Sequence, residues 1–572
     1  MSKIIDKFEE ACLSYADRTA FFYLQHNRIR EVSFGQLGID VDNMEVLLRE
    51  KGLGEGGRVL IFVPPSYELV VFMFACLKIG ASAMYVDVWA GRKLIAETLS
   101  QYKADYIAVS KKTRFLKLAF GDINKIRRML FIDRLYERSR TLEVGPDQAE
   151  KKRVSNDDQG GCLTFPGRKG EAENHVSLGE EKEEGRVEAL SGFAAIEKDG
   201  KRRGPDTCVR RGEEVAGHRS EGLDGKEEKS RKLINSDKDE EDTRPALLTM
   251  TTGSTGRPKI ALRTRLDLYR QLELINDNME DEGENVVLTT AFMYCFANVL
   301  KGFTTVLPQV NPGFLPYFLD RRLKKFGSLP ITSIITSPDF CLKTGNFYPG
   351  LKNLYLGGAI LNHEEARGIV RKYPGAKITY IYGATECNLI AKTDLHSYLA
   401  RLQEGGPALL GRAVKGVRIR IDEDGEIAVN SKAILKDYLS HDRANSMIDE
   451  DGEFWHKTGD AGEYRDGRLY YLGRKDVYVE DGGRRLYSNP LEQELVLALE
   501  GVKKCAFFHH GGRNRLFLQG GSLTEEEVRA CLRQRGLPAE VEIYLNAKIP
   551  CDVKHHTKID YKKLRRRLDK GK

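Results

Sequence analysis

The amino-acid sequence predicts an α/β protein, with a large N-terminal domain of mostly parallel α/β layers, a small antiparallel β subdomain and a small α+β domain at the C-terminal end. Three observations predict it. Apolar runs of strand length recur, separated by helix-length stretches, over roughly the first 130 residues and again from Val286 to Ile381. The Asp-Gly pairs 424–425, 451–452 and 466–467 then punctuate β-rich segments, as hairpins require. The last hundred residues switch to a compact α+β pattern. A chain of 572 residues exceeds what one core can organise, so two or more domains are expected.

The first part is read as residues 1–137. Its opening, Met1 to Glu10, carries early acidic residues and no apolar block, so it predicts an amphipathic helix of a cytoplasmic protein and not a secretory signal. Arg58 to Val63 predicts a buried strand stopped by Pro64-Pro65, and Ser66 an N-cap for an apolar helix ending at Gly80. Tyr106 to Val109 and Met129 to Ile132 predict further strands, and strands separated by helices imply a parallel sheet. The apolar run Leu69 to Leu77 is far shorter than the roughly 20 residues that cross a bilayer, so no transmembrane segment is expected.

From residue 138 to 244 the composition changes. Between Lys151 and Arg244, 43 of 94 residues are charged and 14 are large and apolar, too few to offset the entropy of ordering. The segment reads as a charged, disordered insertion. The net charge of +7 is modest, and no nucleic-acid partner is expected. Ten singly placed cysteines without a C-x-x-C pair fit a reducing compartment. His509-His510 and His555-His556 are each adjacent pairs, which rarely chelate one metal ion together.

The third part, residues 245–473, opens on the strand-like Ala246 to Met250. Then comes Thr251-Thr252-Gly253-Ser254-Thr255-Gly256-Arg257-Pro258-Lys259. Glycines let backbone N–H groups approach a phosphate, Thr252, Ser254 and Thr255 add hydroxyl donors, and Lys259 adds a positive charge. Arg257 and Pro258 separate Gly256 from Lys259, which excludes the Gly-Lys-Ser/Thr succession of P-loop NTPases. Strands are predicted at Val286 to Leu288, Ile331 to Ile335, Asn353 to Leu356 and Ile378 to Ile381. Ligands bind beyond the carboxyl ends of such strands, so Gly357-Gly358-Ala359 and Tyr382-Gly383-Ala384-Thr385-Glu386 should converge with the phosphate loop. Residues 474–476 read as a hinge and 477–572 as a second domain, with a capping box at Thr524 and Glu527 and a basic helix from Tyr561 to Leu568.

The loop 251–259, Tyr382 to Glu386, Thr458-Gly459-Asp460, Gly473 to Asp476 and the segment around Lys558 stand in the order and spacing of the acyl-adenylate-forming (AMP-binding) superfamily, which the chain resembles. The resemblance implies ATP and Mg²⁺, with Thr252, Gly253, Ser254, Thr255, Gly256 and Lys259 on the phosphates. It implies Glu386 on the metal, Thr385 at the α-phosphate, Gly358, Ala359, Tyr382 and Gly383 around adenine, and Asp460 with Arg474 on the ribose. Lys558, preceded by Thr557 where the family has glycine, would be catalytic with Thr385 and Glu386. The C-terminal domain would be a mobile lid pivoting near Asp476.

Phe296-Ala297-Asn298, Arg485-Leu486-Tyr487 and Lys554 to Asp560 are similar to fatty-acyl-CoA ligase-like proteins and olefin β-lactone synthetases, and the aromatic segment Phe292 to Phe303 suits an apolar tail. The implied activity is fatty-acid activation to an acyl-adenylate and transfer to CoA. Closure of a β-hydroxyacyl adenylate to a β-lactone, or a scaffold that binds nucleotide without turnover, are the alternatives. Chain length, acceptor and oligomeric state stay open.

Overall fold

Residues 2–86, 101–111, 113, 128–142, 243–251, 259–281, 283–309, 316–439, 446–448, 451–552 and 558–571 are described by the structure, a computed structural model. All of them lie in the unit formed by Met1–Glu143 and Ser236–Lys572. Of the charged insertion read at 138–244, residues 143–242 lie outside the described residues. At its near edge, regular structure extends past residue 138. The helix Ile132–Ser139 ends with Ser139 fully buried, and the Ser139 carbonyl accepts a hydrogen bond from Asn43 Nδ2 at 3.0 Å.

One sheet orders its strands Asp437–Tyr438, Lys259–Thr264, Pro245–Thr251, Ser82–Tyr85, Arg58–Phe62, Tyr106–Val109 and Arg128–Phe131. From Pro245–Thr251 to Arg128–Phe131 neighbours are parallel, and the first two strands are antiparallel additions. The helix Tyr67–Ile79 follows Arg58–Phe62 as expected: the Ser66 hydroxyl accepts from the Leu69 N–H, and Gly80 closes it at φ 89°, a left-handed conformation that favours glycine. Nearly every side chain of this helix is buried, which explains why its apolar residues run on without a polar stripe.

A second, larger sheet is parallel from Thr19–Gln25 through Thr304–Leu307, Val286–Thr289, Ser333–Thr336 and Asn353–Gly357 to Lys377–Tyr382. Beyond Lys377–Tyr382 it continues antiparallel through Ala391–Asp394, Ala408–Ala413, Arg468–Arg474, Phe454–Arg465, Glu426–Ser431 and Val417–Ile421. Tyr382 therefore ends the last parallel strand, where the sheet changes character. The strand expected at Ile331 begins instead at Ser333, because the Ile331 N–H is used locally by the Leu329 carbonyl at 2.8 Å. The Asp466-Gly467 turn has φ values of 52° and 68°, the doubly positive pattern of a tight hairpin.

From Val477 onward the chain builds a three-stranded sheet of Val502–His510, Arg513–Gly520 and Val541–Tyr544 with the helices Ser488–Ala498, Glu525–Gln534 and Tyr561–Asp569. Alternation along the strands feeds two cores. Phe507, Leu516 and Leu518 face Leu495, Val528 and Leu532, while Ala506, Phe508 and Phe517 face Leu564 and Ile549. The capping box at Thr524 and Glu527 is present.

Candidate active site

On the phosphate side, Pro245–Thr251 and Lys259–Thr264 pair antiparallel, with Thr251 opposite Lys259. The loop between them is thus anchored at both ends by one ladder, although Thr252, Gly253, Ser254, Thr255 and Gly256 themselves lie outside the described residues. Lys259 is buried, its Nζ 5.2 Å from the centre of the Tyr438 ring. The Tyr438 hydroxyl donates to Oε1 of Glu386, and His456 Nε2 lies 3.9 Å from Oε2. Burial pushes the His456 pKa down, Lys259 adds to this, and Glu386 and Glu426 oppose it.

A buried arginine holds the turn that carries Thr385 and Glu386. Arg263 donates to Thr249 Oγ1 at 2.8 Å, to Gln271 Oε1 at 2.7 Å and to the Thr385 carbonyl at 2.7 Å. Gln271 Nε2 in turn donates to the Glu386 carbonyl at 3.1 Å and the Ala433 carbonyl at 3.2 Å. Burial lowers the Arg263 pKa to about 10, still charged at neutral pH. Sequence reading missed Arg263, Gln271, Tyr438 and His456. The one visible signal was an arginine inside the apolar strand Lys259–Thr264.

On the other side of this turn lies a cavity of about 160 Å³ lined by Gly358, Ala359, Tyr382, Gly383, Asp460, Arg474 and Lys558, among others. Asp460 is its polar centre. Tyr382 Oη donates to Oδ2 at 2.8 Å and Arg474 Nη1 to Oδ1 at 2.8 Å. Burial pushes the Tyr382 pKa up and Asp460 adds to the rise, whereas for Arg474 burial pulls down and is outweighed, chiefly by Asp460.

The turn is held by its neighbours. The Asp460 N–H donates to Thr458 Oγ1 at 3.2 Å, and the Gly459 N–H to Glu426 Oε1 at 2.8 Å. Glu426 Oε2 pairs with Lys475 Nζ at 2.9 Å, so one buried carboxylate ties the Thr-Gly-Asp turn to the residue after Arg474. This clamp was not read from the sequence, although Glu426 directly follows the Asp424-Gly425 turn.

Lys558 enters the cavity from the C-terminal part. Its segment is pinned by a bridge between Cys551 and Ile559 and by the Asp552 N–H donating to the Lys558 carbonyl at 2.8 Å. Lys558 is exposed as a residue, yet the cavity walls around it partly desolvate its ammonium. That desolvation lowers its pKa, Arg474 adds to the effect, and Asp460 and Asp552 work against it. Thr385 and Glu386 do not line this cavity; the Glu386 carboxylate is joined to the Lys259 side through Tyr438, and Thr385 is held by its carbonyl on Arg263. The segment Tyr382 to Glu386 therefore joins two half-sites. The middle of the aromatic helix Phe292–Lys301, Cys295 to Val299, is core. Phe296 packs on Phe74 at 5.0 Å, and the first turn, Phe292 to Tyr294, and the last two residues, Leu300 and Lys301, are half-buried.

Glu386 suits a hard divalent cation. Its Oε1 is engaged by one hydroxyl, and a carboxylate of about four lone-pair sites keeps capacity on Oε2. Among the described residues no group of three or more His, Cys, Asp or Glu converges, so Mg²⁺ here would be held by Glu386 together with ligand oxygens. Among the described residues no helix is long and apolar enough to cross a membrane.

Comparison with known proteins gives the family and the fold. The family model for the AMP-binding enzyme matches residues 8–439. The olefin beta-lactone synthetase of Stenotrophomonas maltophilia is 22% identical over 582 residues, covering 93% of this chain and 90% of that protein. A D-alanine–D-alanyl carrier protein ligase of Staphylococcus epidermidis is 25% identical over 43% of this chain and 53% of its own length. Among solved structures, a Mycobacterium tuberculosis fatty acyl CoA synthetase superposes with TM-score 0.63 at 15% identity, covering 99% of this chain and 98% of that one. ATP-bound MatB from Rhodopseudomonas palustris superposes with TM-score 0.68 at 16% identity over 100% of both chains. With the family model matching three quarters of it, the chain belongs to the AMP-binding enzyme family.

Proposed function

We propose that the protein activates a carboxylic acid, a fatty acid, with ATP to an acyl-adenylate, releasing pyrophosphate, and then passes the acyl group to CoA as a thioester. The observation that carries this reading is the convergence of Asp460, Arg474, Tyr382 and Lys558 on one cavity, with Lys259 and Glu386 on the far side of the Tyr382–Glu386 turn.

The chemistry follows from charge. A carboxylate oxygen attacks the α-phosphorus of ATP, a new C–O–P bond forms, and the bond to pyrophosphate breaks; two anions must be brought together and neutralised. Asp460 accepts the ribose hydroxyls and Arg474 donates to the same sugar. Lys558 brings its ammonium to the carboxylate and α-phosphate, where negative charge moves between them. The loop 252–258 and Lys259 take the β- and γ-phosphates, and Thr385 contacts the α-phosphate. Mg²⁺ at Glu386 would supply charge neutralisation of the polyphosphate. Gly358, Ala359 and Gly383 leave room for a flat base beside Tyr382.

A second reading shares the first half-reaction. The likeness to an olefin beta-lactone synthetase over nine-tenths of both chains favours closure of a β-hydroxyacyl adenylate on its own hydroxyl, with AMP as leaving group. Pyrophosphate release from plain and β-hydroxy fatty acids, with and without CoA, decides between them. CoA-dependent thioester from plain acids supports the first, and CoA-independent AMP release only from β-hydroxy acids supports the second. No pyrophosphate from any carboxylic acid, with ATP still bound, would favour a scaffold without turnover.

A further inference from the structure

The helix Ser488–Ala498 turns Ser488, Asn489, Glu492 and Gln493 toward the cavity that also holds Asp460 and Lys558. Residues spaced by one, four and five share one helical face. Ser488 Oγ, Asn489 Oδ1 and Gln493 Oε1 are buried and have no hydrogen-bond partner. Ser488 is 1% and Gln493 8% exposed, so solvent does not satisfy them. Buried polar atoms are almost always paired, and three orphaned oxygens on one face of one helix point to a ligand that donates hydrogen bonds.

The geometry says which part of a ligand would reach them. Gln493 Nε2 donates to the Leu361 carbonyl at 3.2 Å, which docks this helix against the segment Gly358-Ala359-Ile360-Leu361 and identifies Oε1 as the amide's acceptor. On that segment the Ala359 carbonyl already accepts from Tyr380 Oη at 2.5 Å. The Ala359 carbonyl thus has one of its two lone pairs taken, while the oxygens on the C-terminal helix have none taken. Glu492 adds none on Oε1, which takes the Phe507 N–H at 2.8 Å and the Tyr561 hydroxyl at 2.6 Å. The cavity of about 160 Å³ is roughly tenfold what a single water needs.

We propose that Ser488, Asn489 and Gln493 form the base-specificity element of the nucleotide pocket, accepting hydrogen bonds from the amino edge of adenine and rejecting a 6-oxo purine. This rests on the reading of Asp460 and Arg474 as the ribose holders, since they fix which end of the nucleotide faces the helix. A 6-oxo purine places an acceptor against the Asn489 and Gln493 carboxamide oxygens and leaves those two unpaired, the situation in which polar sites discriminate most strongly, whereas the Ser488 hydroxyl can accept from an amino group or donate to an oxo group. Base selection is then completed only when the C-terminal part is docked.

The test compares ATP with ITP in pyrophosphate release by the full-length protein, using the carboxylic acid it turns over best. Wild type should favour ATP in kcat/KM by about a hundredfold or more. Asn489→Ala and Gln493→Met should each cut that preference by about tenfold, chiefly by losing ATP turnover. Equal losses with both nucleotides, or a wild type indifferent to the base, would overturn the proposal. If neither nucleotide supports turnover, the adenylation reading fails. Calorimetry of AMP against IMP still decides the inference: tighter AMP binding in wild type that the variants equalise supports it, and equal affinities overturn it.

Discussion

Lys558 and Gly383 carry the sharpest expectations at the scale of the residue. The ammonium of Lys558 shares a cavity with the Asp460–Arg474 pair, close enough for Arg474 to depress its pKa. Lys558→Ala should lower adenylate formation about 100- to 1000-fold, the usual worth of one preorganised charge contact, while leaving consumption of a supplied acyl-adenylate largely intact. Isotope exchange between pyrophosphate and ATP separates the two, and equal loss of both steps would remove the assigned role. Gly383 is a steric case. A Cβ there would stand 1.8 Å from the Asn388 carbonyl oxygen, on backbone that cannot step aside. Gly383→Ala should therefore displace the Tyr382–Glu386 turn, lowering the melting temperature and cutting turnover at least tenfold. A melting curve matching wild type would show that the turn has slack.

At the scale of the element, Glu426 joins two strands' worth of site. Glu426→Ala removes both the acceptor for the Gly459 N–H and the partner of Lys475, and should lower kcat/KM for ATP by about tenfold or more. Glu426→Gln keeps the first bond and should lose less. The helix Ser488–Ala498 makes a pH prediction through Glu492. Burial lifts its pKa from 4.5 to about 8, partly opposed by bonds from Tyr561 and Phe507. Around it stand Lys558, Lys504, Arg474, Asp460, Glu365, Cys505 and the tyrosines 380, 471 and 561. Between pH 4.5 and about 8 the native state keeps a proton that the unfolded chain has released, so this group makes stability fall as pH rises through that window and level off above it. Glu492→Gln should flatten the fall, measured as urea midpoints at pH 5, 6, 7 and 8. An unchanged slope would mean that the carboxyl is not held neutral.

For the whole molecule, a nucleotide that touches both the body and the C-terminal part binds the folded state only. AMP at a hundred times its dissociation constant should then stabilise by about 2.7 kcal/mol and raise the melting temperature by several degrees. Asp460→Ala should lose that rise, and a full shift in the variant would argue against its place at the ribose. The layered α/β order, the Ser66 and Gly80 caps, the Thr524 box and the Asp466-Gly467 hairpin were legible because each depends on residues a few positions apart. Gly358, Ala359, Tyr382, Gly383, Asp460, Arg474 and Lys558, which line one cavity, had been singled out for a related reason, since each stands in a short motif. Arg263, Gln271, Tyr438, Glu426 and Glu492 were not, because each has a partner between 15 and 162 positions away in the chain and no local pattern announces it.

By itself, then, the sequence determined the classes of layer, the turns between them and the motifs whose chemistry is local. Only the tertiary structure decided that Glu386 faces Lys259 while Asp460 faces Lys558, that one arginine holds the turn between them, and that a helix from the C-terminal part brings three unpaired oxygens to the same cavity. The physical reason is that local geometry and residue chemistry act over a few bonds, whereas desolvation and pairing are set by whatever distant segment the fold packs alongside.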